Sequence, residues 1–169
     1  MTSFHDRFVE LYDIHFPRVR HFLDRFSGDP MLAADIAQDT FVRLYRRGSP
    51  PDDPAAWLIT VALNLLRNSR STSARRTRLL SRVRGEATIA DPVDAPDAAV
   101  ESADQRARVR AALEHLPERE QQLLLLRSEG YRYEELATAL GLNPASVGVL
   151  LARAKRAFRA AYEERGDAS

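Results

Sequence analysis

Three polar residues, Asp35, Gln38 and Asp39, are spaced so that they would share one face of a helix. Two carboxylates one turn apart could hold a Mg²⁺ ion, which would suit a nucleic-acid hydrolase. However, the sequence offers no evident third ligand or partner base, and acidic pairs of this kind are more often surface charge. For this helix alone we favour a solvated polar face, and we keep the metal-dependent hydrolase as an alternative.

Amide and arginine side chains follow in a second segment. From residue 54 to residue 85 the chain carries seven arginines and no acid. Asparagine and arginine can hydrogen-bond to base edges, and arginine also pairs with phosphate. The segment is predicted to bind nucleic acid, with a loosely held basic tail as the alternative. The residues expected to make these contacts are Asn64, Arg67, Asn68, Arg70, Arg75 and Arg76.

A helix-turn-helix is predicted over residues 133–162. Gly141 falls where the first helix must end in a residue of positive φ. Asn143 and Pro144 suit the N-cap and the first turn of the second helix, whose outward face could enter a major groove. A plain helical hairpin is the alternative. The residues expected at the DNA are Asn143, Ser146, Gly148, Val149, Arg153, Lys155 and Arg156.

The elements that must position these residues are helical throughout, since no convincing strand alternation is present. Helices are expected over 4–26, 31–47 and 55–70, with Pro17 kinking or restarting the first. The second should bury Leu32, Ile36, Phe41, Leu44 and Tyr45, and the third Trp57, Leu58, Val61, Ala62 and Leu65. A later helix should open with Pro117 as its first residue.

The charge distribution divides the chain. Residues 86–105 carry six acids and no base, together with two prolines, and offer little for a core. We predict an all-α fold: two small helical domains joined by a flexible acidic linker, the second domain containing the helix-turn-helix. The expected boundaries are 1–84 for the first domain, 85–104 for the linker and 105–165 for the second domain.

Composition excludes several other classes. The chain has no cysteine and only four scattered histidines, so neither a disulfide framework nor a metal or other cofactor is expected. No apolar run approaches the roughly 20 residues of a membrane helix, so no membrane insertion is expected. The natural interpretation is a cytoplasmic protein.

In this order, the motifs resemble those of the extracytoplasmic-function sigma factors, the smallest members of the sigma-70 family. Residues 35–41 are similar to the family's core-binding helix, and Trp57 followed by Asn64 to its −10 helix. Residues 116–137 are similar to the opening of its −35-binding domain, and 153–156 to the end of its recognition helix. The resemblance covers nearly the whole chain.

The resemblance implies an alternative sigma factor and not an enzyme. Such a protein binds the RNA polymerase core, recognises the −10 and −35 promoter elements and starts transcription initiation. Asp35, Gln38, Asp39 and Arg43 would contact the β′ clamp of the polymerase, and the second domain its β flap. Asn64 and the loop over 49–54 would hold the unpaired −10 strand. The chain would be monomeric when free and regulated by an anti-sigma factor.

Two departures from the family pattern bear on the DNA contacts. Gly148, Val149 and Leu150 stand where basic or hydroxyl residues are frequent, and Asn68 stands where an aspartate is frequent. Two rival functions also remain at this point. One is a stand-alone helix-turn-helix regulator that binds a palindrome as a dimer, and the other is a protein that sequesters the polymerase or a sigma factor.

Overall fold

The computed structural model describes residues 1–81 and 100–167, where every regular element is a helix. The all-α prediction is therefore confirmed. Residues 85–99 of the expected linker lie outside the described residues. The helices are α1 (Phe4–Ser27), α2 (Pro30–Arg47), α3 (Pro54–Ser81), α4 (Val100–Glu114), α5 (Glu118–Ser128), α6 (Tyr133–Leu140) and α7 (Pro144–Gly166).

Capping interactions stabilise both ends of α1. Ser3 and Asp6 form a capping box at its start, and Gly28 ends it in the left-handed conformation at φ 68°. The helix runs through Pro17 without restarting, so the restart expected from that proline does not occur. The buried stripe is continuous across the proline and fixes both halves against the same core; it consists of Leu11, His15, Val19, Phe22 and Leu23.

The first three helices pack around one apolar core, but its composition differs from the sequence expectation. Tyr45 is exposed instead of buried, and its ring lies edge-on against Phe8, with centroids 5.2 Å apart. In α3 the deeply buried stripe is offset by about one position, and Trp57 is only half-buried. Members of the observed stripe include Ala55, Leu58, Ile59, Ala62 and Leu66.

Three helix boundaries also differ from those predicted. The third helix extends to Ser81, and α4 already begins at Val100, inside the stretch assigned to the linker. Pro117 precedes α5 as its N-cap and is not its first helical residue. All three differences concern helix ends, and the one at Pro117 amounts to a single residue.

The second group of helices, α4 to α7, packs against the first group. Helix α1 contacts α5, and α3 contacts α6. Tyr131, in the turn between α5 and α6, is almost completely buried. The buried apolar residues of both groups form one connected cluster. This packing of the two groups on each other was not predicted, and it changes how the candidate binding residues are presented.

Two glycines of the helix-turn-helix should respond oppositely to alanine. Gly141 has φ 65°, so a Cβ there is strained, and Gly141→Ala should destabilise the fold by about 1 kcal/mol. Gly148 is helical, and an added Cβ would lie 3.6 Å from the Tyr133 ring, an ordinary contact. Gly148→Ala should stabilise the fold by up to about 1 kcal/mol through helix propensity. Urea unfolding of both variants checks this pair; equal effects would contradict it.

Candidate nucleic-acid interface and partner-binding face

The predicted partner-binding face lies on α2. Asp35, Gln38 and Asp39 are all exposed, and Arg43 is exposed one turn further on. The opposite side of the helix is buried, with the Thr40 hydroxyl donating to the Ile36 carbonyl oxygen at 2.7 Å. The face is thus held rigidly by the core while its own polar groups point to solvent.

Apolar side chains flank this polar set. Met31 is 81% exposed and Val42 is 42% exposed, on the same side of α2. Protein interfaces combine exposed apolar and polar side chains, and this face contains both. Within residues 1–81 and 100–167 no group of three metal-ligating side chains comes together, so the hydrolase alternative gains no support from the geometry.

The outer face of α3 carries the predicted nucleic-acid residues. Asn64, Arg67 and Asn68 are exposed together, and the Arg67 guanidinium lies 3.5 Å from the Asn64 amide oxygen. Arg75 and Arg76 are exposed further along the same helix. This face places amides and guanidinium groups side by side, which suits contacts with both bases and phosphates.

Arg70 has a different environment from its neighbours. Its guanidinium donates to the Glu118 carboxylate of α5 at 2.9 Å and lies 5.0 Å from the centre of the Phe26 ring. Arg67 and Arg70 also line a groove of about 220 Å³ between α3 and α5. A carboxylate of the second helical group therefore occupies part of the predicted nucleic-acid surface.

The helix-turn-helix forms as predicted, with the expected cap at the start of α7. The Asn143 side chain accepts a hydrogen bond from the Ala145 amide at 3.0 Å, and Pro144 begins α7. Val147, Leu151 and Ala154 are buried against α5 and α6. The outward side of α7 presents exposed side chains, among them Val149, Arg153, Lys155 and Arg156.

Two residues expected at the DNA are partly engaged within the protein. Gly148 faces the Tyr133 ring, and the Arg153 guanidinium lies 3.3 Å from the Glu120 carboxylate. Ser146 is half-buried, whereas Asn143 is exposed. The freely presented part of this surface is therefore smaller than the sequence suggested.

A polar cluster joins the two helical groups, and no sequence pattern had indicated it. The Glu129 carboxylate pairs with His21 and lies 3.4 Å from the Arg25 guanidinium. Arg25 also donates to the Ser128 hydroxyl at 2.8 Å, and the Arg18 guanidinium lies 4.2 Å from the centre of the Tyr131 ring. Three side chains of α1, those of Arg18, His21 and Arg25, thus contact the end of α5 and the turn that follows it.

Two buried polar atoms, His15 Nδ1 and the Tyr131 hydroxyl, have no hydrogen-bond partner in the described part of the chain. Burial raises the pKa of the Tyr131 hydroxyl well above its usual range. Burial lowers the pKa of His15, and Arg18 and Arg7 lower it further against the opposing effect of Glu135 and Asp53. Unpartnered polar atoms weaken the packing that buries them.

The lowered pKa of His15 predicts a pH dependence. Because the folded protein binds this proton less readily than the unfolded chain, stability is complete above the ordinary pKa of 6.5 and falls as the pH drops below it. His15→Gln should flatten this acid-side loss. Melting temperatures at pH 5.5 and 7.5 for both proteins check the prediction, and an unchanged slope in the variant would refute it.

Among residues 1–81 and 100–167, no single helix has the length and apolar character needed to cross a membrane, although the bent pair α6 and α7 passes by composition. The arrangement defines a class: an all-helical protein with a helix-turn-helix and a second helical surface that is basic.

Comparisons with known proteins resolve the class further. Residues 11–76 match the family model for sigma-70 region 2, and residues 106–158 match that for sigma-70 region 4. The sigma factor CarQ of Myxococcus xanthus is 31% identical over 96% of this chain and 91% of its own length. The extracytoplasmic-function sigma factor SigL of Mycobacterium tuberculosis is 30% identical over 92% and 89%.

Solved structures share the fold. The sigma factor RpoE, solved in complex with the anti-sigma factor NepR from Bartonella quintana, superposes with a TM-score of 0.69 at 19% identity, over 93% of this chain and 97% of its own. CnrH, solved in complex with the cytosolic domain of CnrY, superposes with a TM-score of 0.66 at 22% identity, over 95% and 90%.

The chain belongs to the extracytoplasmic-function sigma factors of the sigma-70 family. It is an alternative sigma factor of RNA polymerase, acting in transcription initiation. Members of this family are initiation factors, and their role implies RNA polymerase and promoter DNA as partners. The rival of a stand-alone dimeric regulator has no support from these comparisons.

Proposed function

We propose that the chain docks on the polymerase core through the exposed face of α2. The observation that carries this proposal is the set Asp35, Gln38 and Asp39, which is exposed on a rigid helix and framed by Met31 and Val42. Neither carboxylate has an ion-pair partner within the described part of the protein, so a complementary basic partner would meet unneutralised charge. Arg43 extends the face toward the C-terminal end of α2, and the partner surface is the β′ clamp.

The outer face of α3 engages the −10 element in this proposal. Asn64 contacts the unpaired strand, Arg67 and Asn68 contact its bases or backbone, and Arg75 and Arg76 follow the phosphates. Strand opening follows if this face binds the unpaired strand better than the duplex, because only such a difference shifts the equilibrium. The catalytic chemistry belongs to the polymerase, and none is assigned to this chain.

The −35 element is bound by α7 together with the N-cap residue Asn143. Each DNA contact is weak alone, but the core fixes both domains at once, so the second contact becomes effectively intramolecular. The second domain reaches the β flap, and residues 85–104 join it to the first domain. We expect free chain to be monomeric, cytoplasmic and a poor binder of duplex promoter.

Simultaneous binding requires the two helical groups to separate. The −10 and −35 elements are about 25 base pairs apart, which is about 85 Å of B-form DNA. A compact chain of this size has a radius of gyration of only about 15 Å. In the packed arrangement α3 contacts α6, and the Glu118 carboxylate forms an ion pair with the Arg70 guanidinium. The stretch 82–99 can span at most roughly 60 Å when extended, which permits the separation together with the width of the domains.

An anti-sigma factor is a further partner in this proposal. Two proteins of the same fold were solved with partners described as NepR, an anti-sigma factor, and the cytosolic domain of CnrY. A protein that binds across both helical groups would hold them in the packed arrangement. It would also keep α2 and α3 from the polymerase and the DNA.

Forked promoter DNA with an unpaired −10 strand tests the proposal by fluorescence anisotropy. We expect tight binding by core plus chain, and weak binding by either alone. Asn64→Ala should reduce binding to the fork and leave binding of the chain to the core unchanged. Tight binding of the free chain to duplex promoter would contradict the proposal. Association with core without any gain in DNA binding would favour a polymerase-sequestering protein.

A further inference from the structure

The outward side of α7 carries an apolar strip in its middle. Ala145, Val149 and Ala152 are all exposed, and their spacing places them on one face of the helix. Val149 is 70% exposed. A single exposed valine needs no explanation on most surfaces. Here it stands at the centre of the face proposed to meet the DNA.

The residues next to Val149 at the centre of this face do not direct free hydrogen-bonding side chains outward. Gly148 faces the Tyr133 ring, and Arg153 leans toward Glu120. The basic residues lie further along the helix, at Lys155, Arg156 and Arg159. From Leu136 to Tyr162 the chain contains no acid, so this surface can approach phosphates without repulsion.

The chemistry of this strip restricts what it can recognise. In the major groove the C5 methyl of thymine is the one apolar group among the base edges. A guanine, adenine or cytosine edge facing valine would lose water without gaining a hydrogen bond. The short side chains of Ala145 and Ala152 leave room for the bases on either side.

We propose that Val149 selects a T·A pair in the −35 element by packing against the C5 methyl of its thymine. The inference rests on the proposed binding of −35 DNA by α7. It gives Val149 a specificity role at a position where this chain has no base-reading hydrogen-bond donor. Lys155 and Arg156 supply phosphate contacts beside it.

Deoxyuridine tests the proposal, because it differs from thymidine only by the methyl group. Holoenzyme formed from core and the full chain would first select active promoters from a library randomised at −35. Each selected thymine would then be replaced by deoxyuridine, and initiation would be measured. At one position the loss should be about fourfold, the factor that corresponds to burying one methyl group.

Holoenzyme formed with Val149→Ala should initiate less well than wild type on the thymine template. It should initiate equally well on the thymine and the deoxyuridine templates. Val9→Ala is the matched control, since Val9 is also exposed but lies on α1; it should keep the full deoxyuridine effect. The proposal is overturned if no −35 thymine responds to deoxyuridine, or if Val149→Ala responds as strongly as wild type. A chain that supports no transcription from any template would instead overturn the proposed function itself.

Discussion

Replacing Gln38 and Asp39 together with alanine is expected to weaken binding to the core polymerase at least tenfold. Both side chains are exposed on α2, so their truncation should leave folding intact. The minority of interface residues that cost more than about 1 kcal/mol when truncated cluster near the centre of an interface, and about 1.4 kcal/mol corresponds to a factor of ten. A fluorescence titration of labelled chain with core measures the effect directly.

Asp13→Ala provides the matched control, because Asp13 is an exposed acid on α1 outside the α2 face. It should bind core as the wild type does, and all proteins should show the same helical signal and melting temperature. If the double variant bound core as tightly as wild type, the α2 face would not be the docking site. The polymerase contact would then have to lie elsewhere on the chain.

Reversing the charge of Glu129 is expected to separate the two helical groups. Glu129→Arg would place a second guanidinium beside that of Arg25 and remove the carboxylate that Arg25 and His21 both contact. Breaking a largely buried pair by changing one partner costs about 3 kcal/mol, and less here because Arg25 is partly exposed. The radius of gyration from small-angle X-ray scattering should rise well above the roughly 15 Å of a compact chain.

Separation should also raise the affinity of the free chain for a single-stranded −10 oligonucleotide, since Arg70 loses its competitor Glu118. The paired variant Arg25→Glu/Glu129→Arg recreates an ion pair of opposite polarity and should recover part of the compactness. Arg25→Glu alone should open the chain. A Glu129→Arg protein that stays as compact as wild type would refute the role given to this cluster.

Much of the fold follows from local signals in the sequence. The capping residues Asp29 and Asn143, the left-handed glycines Gly48 and Gly141, and helical apolar spacing suffice to place the elements. The errors in burial have a physical cause: a helix that packs on two sides has a wide apolar face, and spacing alone does not fix its centre. For this reason Tyr45 and Trp57 were expected to be buried and are not.

The candidate site was harder to predict in full. Residue types and spacing were enough to place Asp35, Gln38 and Asp39 on one exposed helix face, because this depends on one helix only, and the family resemblance then implied the partner of that face. The contacts of Glu129 with Arg25 and of Glu118 with Arg70 join residues about 50 to 100 positions apart. No local pattern indicates such pairs, and each residue alone resembles ordinary surface charge. Only the tertiary structure reveals that they meet.

Transcription in vitro is the measurement that tests the central claim most directly. Purified chain would be added to sigma-free bacterial core polymerase with genomic fragments as templates, in parallel with Gln38→Ala/Asp39→Ala and Asp13→Ala. The account predicts discrete transcripts that require the chain, fade with the double variant and persist with Asp13→Ala. If the chain neither associates with core nor yields any dependent transcript, the account of how it acts in initiation is contradicted.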